Sequence, residues 1–583
     1  MKKRFFVLYI LVGAFFVTAG VRLVFLQVRE AEKSRNEVDK RLSLSESDPA
    51  PRGDICDRNG TVLAGNRKGY VVLVKKGENA HLALTVKNLA EESGIEYKEL
   101  LFMMQEQGFS KNTPYVLTED ATAELITKIS ESPESFPCAE IITRPVRDYI
   151  FPETAVHLLG RCGIISGEEY ESLDGYGRND YIGKQGAEKA FEDILRGKDG
   201  RRATEKYTPS GMRKFTEDIP PEKGKNVILT IDINLQTAAE EALDTTVKAT
   251  GAAGGAFVML DVSSGEVLSL ASNPDYNINE FNKNYTKLSK NPQKPFFNRS
   301  ISGLYEPGST FKPITAIAAM ESGVLSPDEI IKTKGEYEYF GHTFRCNIFR
   351  EKGKNHGSIN VSEALGVSCN YFFYELGHRV GIDKIEEVAN QFGLGDSSGI
   401  ELALEEAKGK IATPEERKAS GGVWYAGDTL QASIGQSDNR FTPLALANYT
   451  AALANGGMLY RTHILKAVAD KENLEYTKPE ILNKITISEE TRKAVIDGML
   501  KVTTTGTAAE IFKGFPIKIA GKTGSAQVNK RTNGLFIGFA PAENPEIAFC
   551  AVVEGAPSGN TSAKMTKDIL SYYFNQDEKG TSR

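Results

Sequence analysis

The chain opens Met1-Lys2-Lys3-Arg4 and then runs apolar over residues 5–21, with Arg22 interrupting before the apolar run resumes over 23–28. No other segment restricts the fold as strongly. A helix over residues 5–28 is about 36 Å long, and a bilayer's hydrocarbon core is about 30 Å thick. The segment is read as a transmembrane helix, with Arg22 reaching back to an interface. The basic start, Met1-Lys2-Lys3-Arg4, sits on one side of it only, which sets residues 1–4 in the cytoplasm and the bulk of the chain beyond the cell membrane. A cleaved signal peptide is the competing reading, since Thr18-Ala19-Gly20 are small enough for a cleavage site. The return of apolar residues after Arg22 argues against it. No second run of about 18 apolar residues follows, so the protein is expected to be single-pass.

Beyond that anchor the composition is globular, with 40% hydrophobic and 25% charged residues among 583. Wholesale disorder and a polytopic membrane protein are both excluded. A net charge of −6 speaks against a nucleic-acid partner. The six cysteines, Cys56, Cys138, Cys162, Cys346, Cys369 and Cys550, form no C-x-x-C pair, and the six histidines form no H-E-x-x-H. Neither a metal nor a cofactor is expected, and the cysteines read as unpaired thiols.

The exported part divides by pattern. Residues 29–50 are rich in charge and read as a juxtamembrane stalk. Residues 51–225 are mixed and turn-rich. Asp57-Arg58-Asn59-Gly60 marks a hairpin turn, helical periodicity appears at 82–93 and 121–130, and Gly183-Lys184-Gln185-Gly186 enters a helix over 187–195. No nucleophile with a partner occurs there. From 226 onward a strand at 227–232 precedes a helix over 235–243, capped by Asp232 or Asn234. Strands at 256–262 and 266–272 flank Ser263-Ser264-Gly265. Strands return at 517–520, 535–539 and 547–553, and 566–574 reads as a closing helix. Strands at both ends with helices between them imply an α+β unit over 226–575, a sheet packed on a helical lobe. Residues 576–583 read as a disordered tail.

Three short motifs carry chemistry. In Glu306-Pro307-Gly308-Ser309-Thr310-Phe311-Lys312-Pro313, Ser309 sits at a helix start with Lys312 beside it at i+3. A serine hydroxyl needs a neighbour to take its proton. A lysine serves only when neutral, and burial near a helix N-terminus disfavours its charge. The pair alone arises by chance about twice in a chain this long. Ser368-Cys369-Asn370 offers a hydroxyl for proton relay and an amide for a peptide. Lys522-Thr523-Gly524-Ser525, placed after the strand at 517–520, presents a cation and a hydroxyl suited to a carboxylate. Gly524 leaves room for another backbone, so an extended peptide could add to this strand. Gly521-Lys522-Thr523 also matches the end of a P-loop, but Pro516 stands where that loop needs a glycine.

S-x-x-K, S-x-N and K-T-G in that order are the set shared by serine β-lactamases and penicillin-binding proteins. With the anchor and the large segment 51–225, the chain resembles a class B penicillin-binding protein, a monofunctional peptidoglycan D,D-transpeptidase. Further matches are Arg52-Gly53-Asp54-Ile55, Ala155-Val156-His157-Leu158-Leu159-Gly160, Leu195-Arg196-Gly197, Gly427-Asp428-Thr429, Ser433-Ile434-Gly435-Gln436 and Thr442-Pro443-Leu444. The resemblance implies an elongated non-catalytic pedestal over 51–225 and a penicillin-recognising transpeptidase domain over 226–575. Cys369 in the second motif and Ser525 in the third differ from what many members carry. The side chain of Cys369 is taken to point away from substrate, and Ser525 to need only its N–H.

By the same resemblance, Ser309 attacks the penultimate D-Ala of a stem peptide and Lys312 is the base. Ser368, with Lys522, returns a proton to the departing D-Ala. Asn370 holds a peptide amide, and Thr523 with Lys522 holds the terminal carboxylate. The N–H groups of Ser309 and Ser525 form the oxyanion hole. Expected partners are peptidoglycan stem peptides, β-lactams, the membrane, and a SEDS-type glycan polymerase met through the anchor and pedestal. Tyr181-Ile182-Gly183-Lys184-Gln185-Gly186-Ala187-Glu188-Lys189 favours the elongation type over the division (septal) type. The other readings are a membrane-anchored β-lactamase or carboxypeptidase, a β-lactam sensor, or a scaffold that activates a polymerase.

Overall fold

The computed structural model describes Arg22 and residues 47–111, 113–118, 120–201, 205–207, 213–215, 218–471, 473–528 and 531–580. The span expected at 5–28 lies outside these, Arg22 excepted, as does most of the stalk. Among the described residues no helix is long and apolar enough to cross a membrane.

The first unit is organised by a long strand, Val62–Val74, which pairs antiparallel with Ala139–Tyr149 from Ala64↔Tyr149 to Val74↔Ala139. It also pairs with Tyr115–Thr118. The hairpin turn expected before it is present: Asp57 Oδ1 accepts from the N–H groups of Asn59 (2.9 Å) and Thr61 (2.8 Å), and Gly60 supplies a φ of +87°. Helices Asn79–Ser93, Tyr97–Glu106 and Ala123–Glu131 cover one face of the sheet, burying Val72, Val74, Leu89, Leu100, Met104 and Ile129 together. The single helix expected at 187–195 is instead two short ones, Gly186–Ala190 and Glu192–Leu195, broken at the buried Phe191. Packing of that ring, which periodicity does not register, sets the break.

The two units share a sheet. Asn226–Leu229, assigned from sequence to the second unit, pairs parallel with Ile55–Cys56 and antiparallel with Leu465–Asp470, which pairs on with Asn473–Tyr476. The seven strands thus draw on both sides of residue 225. Polar ties add to it. Ala155 N–H donates to Glu240 Oε1 (2.9 Å), Gly186 N–H to Glu405 Oε1 (2.7 Å), and Arg58 pairs with Glu266 (3.1 Å).

The second unit holds a five-stranded antiparallel sheet in the order Val267–Asn273, Gly254–Asp261, Ile547–Glu554, Arg531–Ala540, Ala520–Val528. Both faces are covered, so the three central strands are almost continuously apolar. Phe257, Met259 and Phe549 face helices Ile233–Thr250 and Gly559–Gly580; Val258, Leu260 and Cys550 face the helical lobe. Asp232 caps the first of those helices through the N–H groups of Asn234 and Leu235, as its position before the apolar pattern implied.

Two sequence expectations are corrected here. The strand expected at 517–520 runs Ala520–Val528, so Lys522 to Ser525 lie inside it. Gly521 and Gly524 hide the pattern, because what they lack in side chain is filled by neighbours. The closing helix continues to Gly580 where a disordered tail was expected from 576. It is nucleated by packing of Ile569 and Leu570, and no proline or glycine interrupts it before Gly580. Residues 581–583 lie outside the described set.

Candidate active site

Ser309 lies in a single 3-10 turn, Gly308–Phe311, that feeds the helix Lys312–Glu321. The N–H of Lys312 donates to the carbonyl of Ser309, and Pro313 occupies the first helical turn, where a missing N–H costs nothing. The turn is held from three directions. Gly308 N–H donates to Gly435 O (2.8 Å), Tyr449 Oη donates to Thr310 O, and Thr315 Oγ1 donates to Ser433 O (2.7 Å). The segment Ser433-Ile434-Gly435-Gln436 is thereby a support for the turn that carries Ser309. Gly435 has a φ of +76°, and a Cβ there would stand 2.1 Å from Gly308 O.

Lys312 is fully buried and donates to Ser368 O (2.9 Å), Ser368 Oγ (3.3 Å) and Asn370 Oδ1 (2.7 Å). The hydroxyl of Ser309, half-buried, makes no hydrogen bond among the described residues. Burial pushes Lys312 down to about 8, against the smaller pull of Cys346 and Cys369. Its ammonium also lies 5.2 Å from the centroid of Phe373.

Ser368 sits just before the helix Asn370–Val380 with a φ of +54°, a conformation that costs an L-residue about 1–2 kcal/mol. The geometry turns its hydroxyl toward both amines, since Lys522 Nζ also donates to Ser368 Oγ (2.9 Å). Lys522 is fully buried and donates further to Thr523 O (3.2 Å). Burial, reinforced by the charge of Lys312, pushes Lys522 well below the ordinary lysine range. One hydroxyl therefore bridges two lysines that come from residues 312 and 522.

The strand Ala520–Val528 is the edge of its sheet, open on the side away from Arg531–Ala540. Gly524 is needed for close approach, although the backbone that approaches is the protein's own. A Cβ at Gly524 would stand 2.7 Å from Pro307 O and 2.8 Å from Thr310 Cγ2. From the other side, a Cβ at Gly308 would meet Ser525 O at 3.1 Å. Thr523 shares a 2.8 Å hydrogen bond with Thr507, and Ser525 is exposed with Oγ accepting from Gly559 N–H (3.1 Å). Ser309, Lys312, Ser368, Asn370, Lys522, Thr523, Gly524 and Ser525 are thus drawn together from three distant stretches.

Sequence reasoning missed a neighbour of this centre. Cys369 is buried, and Cys346, His356 and Cys369 bring ligand-type atoms within 4.8 Å of one another. Cys346 Sγ accepts from Asn370 N–H (3.3 Å) and lies 3.8 Å from His356 Nδ1. A hydrogen bond from Cys369, with His356 and Lys312 adding to it, pulls Cys346 far below the usual thiol range, and the Cys369 thiol is pushed up in turn. Such a donor set could take a soft divalent ion. Positions 346, 356 and 369 match no ligand spacing, so no sequence signal pointed there. All six cysteines are unpaired thiols.

Comparison with known proteins follows the same division. The model of the penicillin-binding protein transpeptidase domain matches residues 255–571, and that of the penicillin-binding protein dimerisation domain matches residues 47–229. Peptidoglycan D,D-transpeptidase MrdA of Acinetobacter baumannii is 30% identical, over 100% of this chain and 88% of its own. Among solved structures, Pseudomonas aeruginosa PBP2 in complex with WCK 5153 superposes with a TM-score of 0.69 at 29% identity, covering 91% of this chain and 96% of that one. A structure described as the coordination of polymerization and crosslinking by a peptidoglycan synthase complex superposes with a TM-score of 0.70 at 26% identity, covering 97% and 98%.

Proposed function

The chain belongs to the penicillin-binding protein transpeptidase family, and from that premise we infer the part that each of its own side chains takes in the reaction. It is a class B peptidoglycan D,D-transpeptidase of the elongation type. Its substrates are the stem peptides of nascent peptidoglycan. Ser309 is the nucleophile and attacks the carbonyl of the penultimate D-Ala. Lys312 in its neutral form takes the hydroxyl proton, and its burial supports that role. The N–H groups of Ser309 and Ser525 receive the oxyanion, worth roughly 3–4 kcal/mol of barrier per donor.

The departing D-Ala amine needs a proton, and Ser368 supplies it from Lys522. The observation that carries this reading is the single hydroxyl within hydrogen-bond reach of both amines, 3.3 Å from Lys312 and 2.9 Å from Lys522. Asn370 orients the peptide amide, and Lys522 with Thr523 holds the terminal carboxylate. The donor peptide lies along the free edge at Gly524 and Ser525 as an added strand. An amine of a second stem peptide then resolves the acyl-enzyme and forms the cross-link. The cell membrane holds the chain through residues 5–28, with the N-terminus cytoplasmic. A SEDS-type polymerase meets the anchor and pedestal; the likeness to a peptidoglycan synthase complex supports this pairing.

A fluorescent penicillin tests the residue assignment. Stable labelling of the full chain, an intact-mass gain mapping to the peptide with Ser309, and loss of label in Ser309→Ala are the expected results. Rapid turnover of the label indicates a β-lactamase instead. Folded protein that takes no label leaves only a scaffold.

A further inference from the structure

We propose that a cavity in the first unit binds a small oxyanion that also carries a hydrogen-bond donor, a phosphomonoester or a hydroxycarboxylate. The cavity, about 150 Å³, lies between the strands Ala139–Tyr149 and Tyr115–Thr118 and the loop that carries Arg178 and Asn179. Val71, Val116 and Ile164 give it an apolar floor, and Val71 and Val116 form a small core cluster of their own. Arg52, Arg144, Arg147, Arg178 and Arg196 line its walls with Asn179, alongside two carboxylates, Asp180 and Asp199. Nothing in the transpeptidase reaction uses these groups, so the inference stands apart from the roles assigned to Ser309 and its neighbours.

Besides Arg52 Nη1, which is ion-paired with Glu192 (2.9 Å), three buried polar atoms of the lining residues have no hydrogen-bond partner: Arg144 Nε, Arg147 Nη2 and Asn179 Oδ1. Native interiors rarely leave such atoms unpaired, and a cluster of them calls for an explanation. The rest of each side chain is already fixed. Arg147 donates through Nε to Glu188 Oε1 (2.5 Å) and through Nη1 to Gly53 O (2.7 Å), which leaves Nη2 over. Arg147 is only 8% exposed. Asn179 Nδ2 donates to Pro114 O (2.8 Å), and this settles the amide orientation so that its oxygen remains unpartnered. Arg144 forms no ion pair among the described residues, and burial lowers its pKa against the pull of Asp180, Asp199 and Glu140. Arg178 stacks on Tyr170, 4.6 Å from the ring centroid, and likewise forms no ion pair there.

The unmet demands define the ligand. It accepts from two guanidinium groups, donates to one amide oxygen, and brings negative charge to Arg144. Water could answer the hydrogen bonds, but the five guanidinium groups that line the cavity outnumber its two carboxylates, and an anion balances that excess. An oxyanion bearing a hydroxyl answers all three, with guanidinium groups as the usual partners of phosphate and carboxylate.

The test is thermal unfolding and calorimetric titration of the full chain in detergent, with glycerol 3-phosphate, L-malate, or sodium chloride at matched ionic strength. The expected result is a saturable rise in Tm with one of the two organic anions at millimolar concentration and none with chloride. Which anion acts distinguishes a phosphomonoester from a hydroxycarboxylate. Arg144→Met is expected to weaken binding about tenfold or more while raising the ligand-free Tm, because it removes a buried unpaired cation. Asn179→Asp also weakens binding, by placing a carboxylate where the ligand must donate, and serves if the first variant does not fold. Penicillin labelling of Ser309 is unchanged in both variants. No Tm rise with either anion, or an equal rise in wild type and Arg144→Met, overturns the proposal and makes the cavity a water-filled one.

Discussion

Lys312 lies in surroundings that oppose its charge, with its protons aimed at Ser368 and Asn370. Since burial brings it down to about 8, the neutral base grows tenfold per pH unit below that value and levels off above it. The second-order rate of penicillin acylation is therefore expected to climb through pH about 8, measured by stopped-time labelling. Lys312→Met is expected to lower that rate by about 10²–10⁴-fold and to abolish this limb of the profile. The three motifs whose eight residues converge were legible because each motif is local and its chemistry is visible in three or four letters. What linked Ser368 to both lysines was not legible, since a left-handed φ at a serine leaves no trace in composition. Cys346 and His356 were equally hidden, because their relation to Cys369 exists only once residues 331–359 have folded back over the helix Asn370–Val380.

The strand Ala520–Val528 does two jobs at once: one edge pairs with Arg531–Ala540, and one face packs on the turn that carries Ser309. Gly524→Ala drives a methyl group into Pro307 O, 2.7 Å away, with backbone on both sides of the contact. Overpacking of this kind costs about 1–3 kcal/mol, and here it falls on the turn that carries Ser309. A lower Tm together with a large drop in acylation rate is the expected outcome, read by calorimetry and penicillin labelling. A fall in stability with unchanged acylation would show that the turn and strand are independent. The strand's existence was legible from the apolar residues before it, but its span was not. Glycine lowers every measure of strand preference, while in the folded chain its missing side chain is the reason the strand can lie where it does. The helix cap at Asp232 was legible for the opposite reason, because capping is settled within three residues.

At the scale of the molecule the two units are joined by hydrogen bonds rather than by a linker. Glu240 shows how tight the join is: loss of solvent around its carboxyl pushes it up to about 8 from an ordinary 4.5, against the pull of the hydrogen bonds it accepts from Gln236 and, across the units, from Ala155 N–H. Folded protein keeps this carboxyl protonated where unfolded chain has lost the proton. The stability it contributes is full below pH about 4.5, declines as pH rises, and is gone above about 8. Glu240→Gln is expected to flatten that part of the Tm–pH curve and to melt higher than wild type above pH about 8. A chain shortened to begin at 226 loses Ile55–Cys56 from the side of Asn226–Leu229 and leaves that strand as a raw edge. It is expected to melt lower than the full chain and to aggregate, by scanning calorimetry and light scattering. The α+β class and the helical lobe could be read from the pattern of strands and helices. The sharing of a sheet could not, because residues 465–476 carry no mark of the unit they join. The consequence reaches beyond this one chain. A chimera spliced between two relatives at residue 225 would knit strands of mismatched parentage into a single sheet, so the pedestal can be exchanged as a working module only if Asn226–Leu229 and the hairpin at 465–476 travel with it.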